Sequence, residues 1–365
     1  MLRSRRFWIG VSVSALFLYL FFRNLRLNEI GEAFASANYW LIGPAIAIYF
    51  LSVLFRALRW RFVLSPIGRF STLRLFPVVV VGYMANNLLP VRLGELVRAY
   101  YISQRERVSG SSSLATIIIE RVYDGLTLLL FLALAAAFLP LAGIVDGLGE
   151  RSGVPWLLLL GAVGGAFVGA IVILTLLATF PRLHGLVLWL PRLLPSRLRP
   201  RAAQIIGLFL EGLAILKSPR RQVGVLLLSL PVWICEGAMY LVVGLGFGLQ
   251  QSLDGFGLLV GAMLLATAVA NLAVSLPSSQ GGVGPFEFFA ASSLVLVGVA
   301  EATAKAYALV LHLALLAPVT LAGLVILWWE NLSLTQLARA GSAREPAGYG
   351  AEDVPLKHIP RGEKP

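Results

Sequence analysis

The sequence predicts an all-α, polytopic membrane protein, and three observations carry that prediction. Hydrophobic residues make up 58% of the 365-residue chain, and the mean hydropathy is +0.83. Charged residues are only 13%, against about 25% in soluble domains. Apolar runs of roughly 20 residues recur along the chain, each long enough as a helix to cross a bilayer. The short alternating strands of a transmembrane barrel are absent. The expected architecture is about seven to eight transmembrane helices with one or two re-entrant elements. Residues 1–332 read as one integral membrane domain, and 333–365 as a disordered cytoplasmic tail.

The apolar runs follow in order. Arg3, Arg5 and Arg6 precede the first, at 7–22, and place the N-terminus in the cytoplasm. Phe21, Phe22, Arg23 and Asn24 follow without a small-residue cleavage site, so this is a retained helix and not a signal peptide. The run 39–64 returns. Arg56, Arg59 and Arg61 at its end, with Arg69 and Arg74, read as a cytoplasmic loop. The next run, 75–89, would rise only about 22 Å as a helix, short of the roughly 30 Å apolar core. It stops at Asn86-Asn87-Leu88-Leu89-Pro90 and has arginines on both flanks, which predicts a re-entrant element.

A long helix is expected over 114–139, after Gly110-Ser111-Ser112-Ser113. An external loop at 140–155 and a helix at 156–180 come next. The arginine-rich stretch 181–201 reads as cytoplasmic, and 202–216 as an amphipathic segment lying at the interface. Apolar runs at 222–249, 256–276, 286–299 and 302–329 complete the membrane part. The break at 277–285 is either a mid-membrane turn or a loop between two crossings. Both leave the C-terminus in the cytoplasm. The net charge of +12 comes from arginines clustered between apolar runs, a pattern that suits anionic headgroups and not nucleic acid. The single cysteine, Cys235, lies inside an apolar run and reads as a packed thiol.

The two breaks resemble each other. The first has Asn86-Asn87, Leu89-Pro90, then Gly94-Glu95; the second has Asn271, Leu276-Pro277, then Gly284 and Glu287. Entered from opposite sides, they would make the halves inverted repeats, an architecture in which paired broken helices point to the binding site. Chance similarity between Gly/Pro breakers is the alternative.

Ionisable groups cluster near the first break. Glu120 and Asp124 are four apart and share a helix face with Arg121 beside them. Burying each charge at the bilayer centre costs about 2.5–3.5 kcal/mol, so partners are required, and Arg92 and Arg98 are the nearest in sequence. The cluster is either a structural ion-pair network or part of a polar cavity. Arg92 and Arg98 flank Glu95 and suit a phosphate, which arginine grips with paired hydrogen bonds. Arg105 and Arg107 read as ordinary loop charge. Ser278-Ser279-Gln280-Gly281-Gly282-Val283-Gly284 offers backbone amides ahead of a helix start. Glu287 either caps that helix or lines the cavity. Glu236 falls mid-membrane, about 21 Å into its helix, and is either neutral or faces the arginines. His312 and Lys305 are lone polar groups in the sequence, and a satisfied core or loop role is expected for each. No metal-ligand spacing, phosphate-binding loop or hydrolase elbow is present, and no cofactor is expected.

These motifs together resemble one family. Asn87, Pro90, Arg92, Gly94, Glu95 and Arg98, then Glu120, Arg121 and Asp124, then Leu276 to Glu287, are similar to the lysylphosphatidylglycerol synthase transmembrane, or flippase-like, family. The resemblance runs over about residues 4–332 in pattern and order. It implies a phospholipid flippase of the cytoplasmic membrane that moves an anionic or aminoacylated lipid. Arg92 and Arg98 would hold the phosphate, and Glu95, Glu120 and Asp124 would hold a cationic headgroup or tune the arginines. Asn87, Arg121, Glu236, Asn271, Gly281, Gly282, Gly284 and Glu287 complete the expected site. The soluble aminoacyl-transferase domain of the bifunctional members is missing, which favours a transporter over an enzyme. A membrane enzyme acting on a lipid phosphate and a non-catalytic scaffold are the competing readings. The expected partners are a membrane phospholipid, with a second copy of the chain or lipid-synthesis enzymes left open.

Overall fold

The computed structural model describes residues 5–23, 27–89, 93–106, 108–139, 156–193, 195, 198–276 and 278–330. The loop at 140–155, the tail beyond 330, Pro90 and Arg92 lie outside them. Among the described residues the secondary structure is helical throughout. The helices are α1 (Arg5–Phe22), α2 (Leu27–Ser36), α3 (Ile42–Val63), α4 (Thr72–Leu88), α5 (Gly94–Glu106), α6 (Gly110–Ala135) and α7 (Trp156–Thr179). They continue with α8 (Pro181–Trp189), α9 (Arg199–Gly212), α10 (Pro219–Gly246), α11 (Phe256–Ala273), α12 (Pro285–Leu296) and α13 (Glu301–Trp329). Five helical segments among them are long and apolar enough to cross a membrane. The protein is a polytopic helical membrane protein.

Helix α6 begins at Gly110, a turn earlier than the sequence suggested, because the Ser109 hydroxyl accepts from the Ser112 amide and caps it. That places Glu120 about 15 Å into the helix. Helix α2 was not anticipated. Its Ile30 and Ala33 pack on Ala306 of α13.

The frame is an antiparallel pair, α3 and α10. At one end the Asn38 amide donates to the Gly246 carbonyl at 2.7 Å. Near the other end, a methyl group on Gly224 would lie 2.8 Å from the Phe62 ring. Helix α4 follows the C-terminal end of α3, and α11 follows the C-terminal end of α10. The chain therefore enters its two broken elements from opposite ends of the frame.

Each broken element is a helical hairpin. In the first, α4 and α5 lie so close that a methyl group on Gly94 would overlap the Gly82 carbonyl and sit 2.5 Å from the Asn86 amide. The Asn86 side-chain Oδ1 accepts from the Gly94 amide at 2.8 Å, which closes the turn. Helix α5 returns to the end where α4 began, since Arg74 faces Glu106 at 3.8 Å. The last helix ends there too: Glu330 meets Arg105 at 2.6 Å and bonds the Tyr101 hydroxyl.

The second hairpin, α11 and α12, also returns to the end it came from. Helix α13 starts beside the C-terminus of α1, where the Lys305 ammonium donates to the Arg23 carbonyl at 3.3 Å. The tip of this hairpin needs glycine, because Gly281, Gly282 and Gly284 have φ of 68°, 77° and 100°. Helix α1 clamps it. The Ser14 hydroxyl bonds Ser279 Oγ at 2.8 Å and the Val283 carbonyl at 2.7 Å. The two tips meet: a methyl group on Gly281 would lie 3.9 Å from Asn87 Cα.

Candidate functional site

Three helices each present one polar stripe to a common centre. On α3 the stripe is Ser52, Arg56 and Arg59; on α10 it is Ser229, Trp233 and Glu236; on α6 it is Glu120 and Asp124. Spacings of three, four and seven residues put each stripe on one helix face. Arg59 Nη1 donates to Asp124 at 2.6 Å and to the Ser229 hydroxyl at 2.9 Å. Its Nε donates to Glu120 at 3.3 Å. Trp233 Nε1 donates to Asp124 at 3.0 Å. Arg56 pairs with Glu236 and lies between the rings of Trp233 and Tyr83, at 4.9 and 5.4 Å. Arg98 joins from α5: it faces Glu120 at 2.7 Å and lies 3.7 Å over the Trp60 ring.

Arg59 and Glu120 are fully buried, and Arg56, Arg98, Asp124 and Glu236 nearly so. Such charges persist in a low-dielectric interior only when paired. Four arginines (56, 59, 98 and 121) here meet three carboxylates (120, 124 and 236), and Glu95 of α5 lies beside Arg121 as a fourth. Arg121 is the least committed. It reaches Asp124 at 3.3 Å and its side chain is 39% exposed.

Beside the cluster lies a cavity of about 450 Å³. Arg56, Arg121, Asp124, Trp233 and Glu236 form one wall; Tyr83, Asn86, Asn87 and Glu95 of the first hairpin form a second. Asn271, Gly281, Gly282 and His312 form the wall on the side of the second hairpin. Phe167 of α7 closes over Gly125, where even a methyl group would overlap its ring. Arg56 and Arg121 each keep a buried Nε without a hydrogen-bond partner. Buried donors of that kind are costly to leave unsatisfied.

The structure thus brings Asn87, Glu95, Arg121, Asp124, Glu236, Asn271, Gly281 and Gly282 to the cavity wall. Arg98 and Glu120 lie behind it, locked to each other and to Trp60 and Arg59. Glu287 accepts from the Gly284 amide at 2.7 Å, the helix cap foreseen for it, and also meets His312 at 2.6 Å. Gly284 packs on the Ser14 backbone. Arg92 lies outside the described residues.

Two residues depart from expectation. Arg56 and Arg59 are not loop charges; they sit inside the helix pair, because α3 runs to Val63 and turns both side chains toward α6 and α10. His312 takes the satisfied core role expected for it, with both ring nitrogens engaged. Among the described residues no group of His, Cys, Asp and Glu is placed to hold a metal ion.

Comparison with known proteins agrees with this architecture. The chain is 29% identical to "Glycosyltransferase AglD" of Haloferax volcanii over 349 residues, covering 89% of this chain and 54% of that protein. It therefore spans about half the length of that relative. It is 26% identical over 297 residues to a UPF0104 membrane protein of Methanothermobacter thermautotrophicus, covering 78% of this chain and 81% of that one. No solved structure matches at a significant level. The family model for the lysylphosphatidylglycerol synthase TM region matches residues 7–323, and the chain belongs to that family.

Proposed function

We propose that the protein carries the headgroup of a phospholipid across the cytoplasmic membrane through the cavity between the two hairpins, with the acyl chains left in lipid. The observation that carries this reading is the cavity wall itself. Arg56 and Arg121 line it, and the Arg121 side chain keeps 39% of its surface exposed there. Arginine suits phosphate by geometry and by its permanent charge. Arg121, partly exposed and loosely paired, takes the phosphate. Glu95 stands on the facing wall, outside the buried pairs, and receives the amine of an aminoacylated headgroup. Hairpins entering from opposite ends are the arrangement through which inverted-repeat transporters rock between two open states. The arginine-rich end, with Arg61, Arg74 and Arg105, faces the cytoplasm together with both termini.

The test is lipid movement in proteoliposomes holding headgroup-labelled phosphatidylglycerol or its lysyl derivative. Movement by the wild type that Arg121→Ala loses supports the reading; no movement of either lipid by folded protein counts against it.

A second reading is a membrane enzyme acting on a lipid phosphate. It is favoured by the name of the AglD relative, which aligns over most of this chain. Conversion of a labelled lipid phosphate by the purified protein, without exchange between leaflets, would select it.

A further inference from the structure

We propose that Glu287 and His312 form a single proton-binding site at the tip of the second hairpin, and that the bound proton latches the tip closed. The argument is a count of donors and acceptors. His312 Nδ1 lies 2.6 Å from Glu287 Oε1, and Nε2 lies 3.1 Å from the Gly281 carbonyl. A carbonyl only accepts, so Nε2 carries a hydrogen. The hydrogen between Nδ1 and Glu287 belongs to the ring or to the carboxyl. Either way the pair holds one proton more than a carboxylate and a neutral imidazole would. The other carboxylate oxygen already accepts from the Gly284 amide at 2.7 Å. Stacking on Phe286 at 4.1 Å and 22° holds the plane of the imidazole.

Removal of that proton leaves one ring hydrogen for two acceptors. A carboxylate competes for it more strongly than a carbonyl. The bond to Gly281 is therefore the one released. Gly281 is the point where this tip meets Asn87 of the first hairpin, so deprotonation loosens the contact between the hairpins.

The surroundings leave the pair as the titrating unit. From α1 the tip receives Ser14, from α4 Asn86 and Asn87, and from α11 Asn271. Across the cavity α10 contributes Glu236 and Tyr240, the latter against Phe286, and α3 contributes Arg56 and Tyr49. Glu236 and Arg56 neutralise each other. From α6 and α5 come Arg121, Asp124 and Glu95, with Asp124 bonded to Arg59. On α13 itself Lys305 is paired with Glu301.

This site does not depend on the transport reading, and its test needs no lipid substrate. In a Cys235→Ser background, Ser278→Cys reports opening of the tip through its rate of thiol labelling in nanodiscs, normalised to the same thiol in unfolded protein. The expected result is a rise of about five-fold between about pH 6 and pH 9, the factor one released hydrogen bond of ordinary strength supplies. Glu287→Gln and His312→Gln should each give a flat profile. A wild-type profile that is flat, or a step that survives in either folded variant, overturns the proposal. Ring-nitrogen spectra of ¹⁵N-histidine-labelled wild type, assigned by the loss of the His312 signal in His312→Gln, separate the same two outcomes without relying on Glu287→Gln folding. A His312 ring that loses a proton or moves its hydrogen from Nε2 to Nδ1 across that pH range supports the latch, and one that does neither overturns it.

Discussion

Arg59 Nη1 bonds Asp124 Oδ1 at 2.6 Å with neither group reached by solvent to any useful extent. Asp124 also accepts from Trp233 at 3.0 Å and faces Arg121 at 3.3 Å. It is the carboxylate on which α3, α6 and α10 converge. Asp124→Ala should cost about 3–5 kcal/mol, since it strands a buried arginine. Thermal unfolding in detergent measures the loss.

Arg56 and Glu236 allow stability and function to be separated. Glu236→Ala alone should destabilise the protein by a similar ~3–5 kcal/mol. Arg56→Met with Glu236→Met removes both charges and fills the space with apolar atoms, and its melting temperature should return close to the wild-type value. Lipid movement by the double variant should stay lost, because the cavity wall has lost one of its two lining arginines and the carboxylate beside it. Recovery of both properties together would show that the pair only holds helices.

Arg121 predicts the reverse pattern. Its side chain is 39% exposed and makes two long contacts, to Asp124 at 3.3 Å and to the Tyr83 hydroxyl at 3.4 Å, so Arg121→Ala should change stability by less than about 1 kcal/mol. Lipid movement should fall to background. Arg121→Lys keeps a charge but not the paired donor geometry, and should restore only part of the rate.

The first hairpin depends on a missing side chain. A methyl group on Gly94 would overlap the Gly82 carbonyl and crowd the Asn86 amide at 2.5 Å. Gly94→Ala should cost about 1–3 kcal/mol, the usual penalty of overpacking, and should show as lower yield of monodisperse protein. Asn86→Ala removes only the 2.8 Å bond to the Gly94 amide and should cost about 1 kcal/mol.

Gly125 and Phe167 should be coupled. A methyl group on Gly125 would overlap the Phe167 ring, so Gly125→Ala is expected to destabilise. In Phe167→Ala protein the same change should be nearly neutral. The resulting cycle should report coupling of about 0.5–3 kcal/mol.

The breaks themselves were legible in the sequence because Asn, Leu-Pro and Gly change the local backbone rules. Glu120 and Asp124 were legible because a four-residue spacing survives folding unchanged. The choice of Arg98 as a partner for Glu120 also holds at 2.7 Å. Arg56 and Arg59 were not legible as cluster members. Arg61, Arg69 and Arg74 follow closely, and the positive-inside rule counts charges without asking which helix face carries them. The overlooked signal was the stripe Ser52, Arg56, Arg59 at helical spacing within an otherwise apolar run. The pairing of Glu287 with His312 spans two helices and 25 residues, and no local period encodes it.

The clamp of α1 on the second hairpin tip has a consequence for biogenesis. Ser14 and its partner Ser279 are 265 residues apart. At about 5–20 residues per second, translation needs roughly 13–53 s to bring the second after the first. Through that interval the polar side of α1 has no tip to hold, so the helix must wait in the insertion machinery or in lipid. Assembly therefore finishes by recruiting its earliest segment, and a misplaced tip would be felt first as a loose amino-terminal helix.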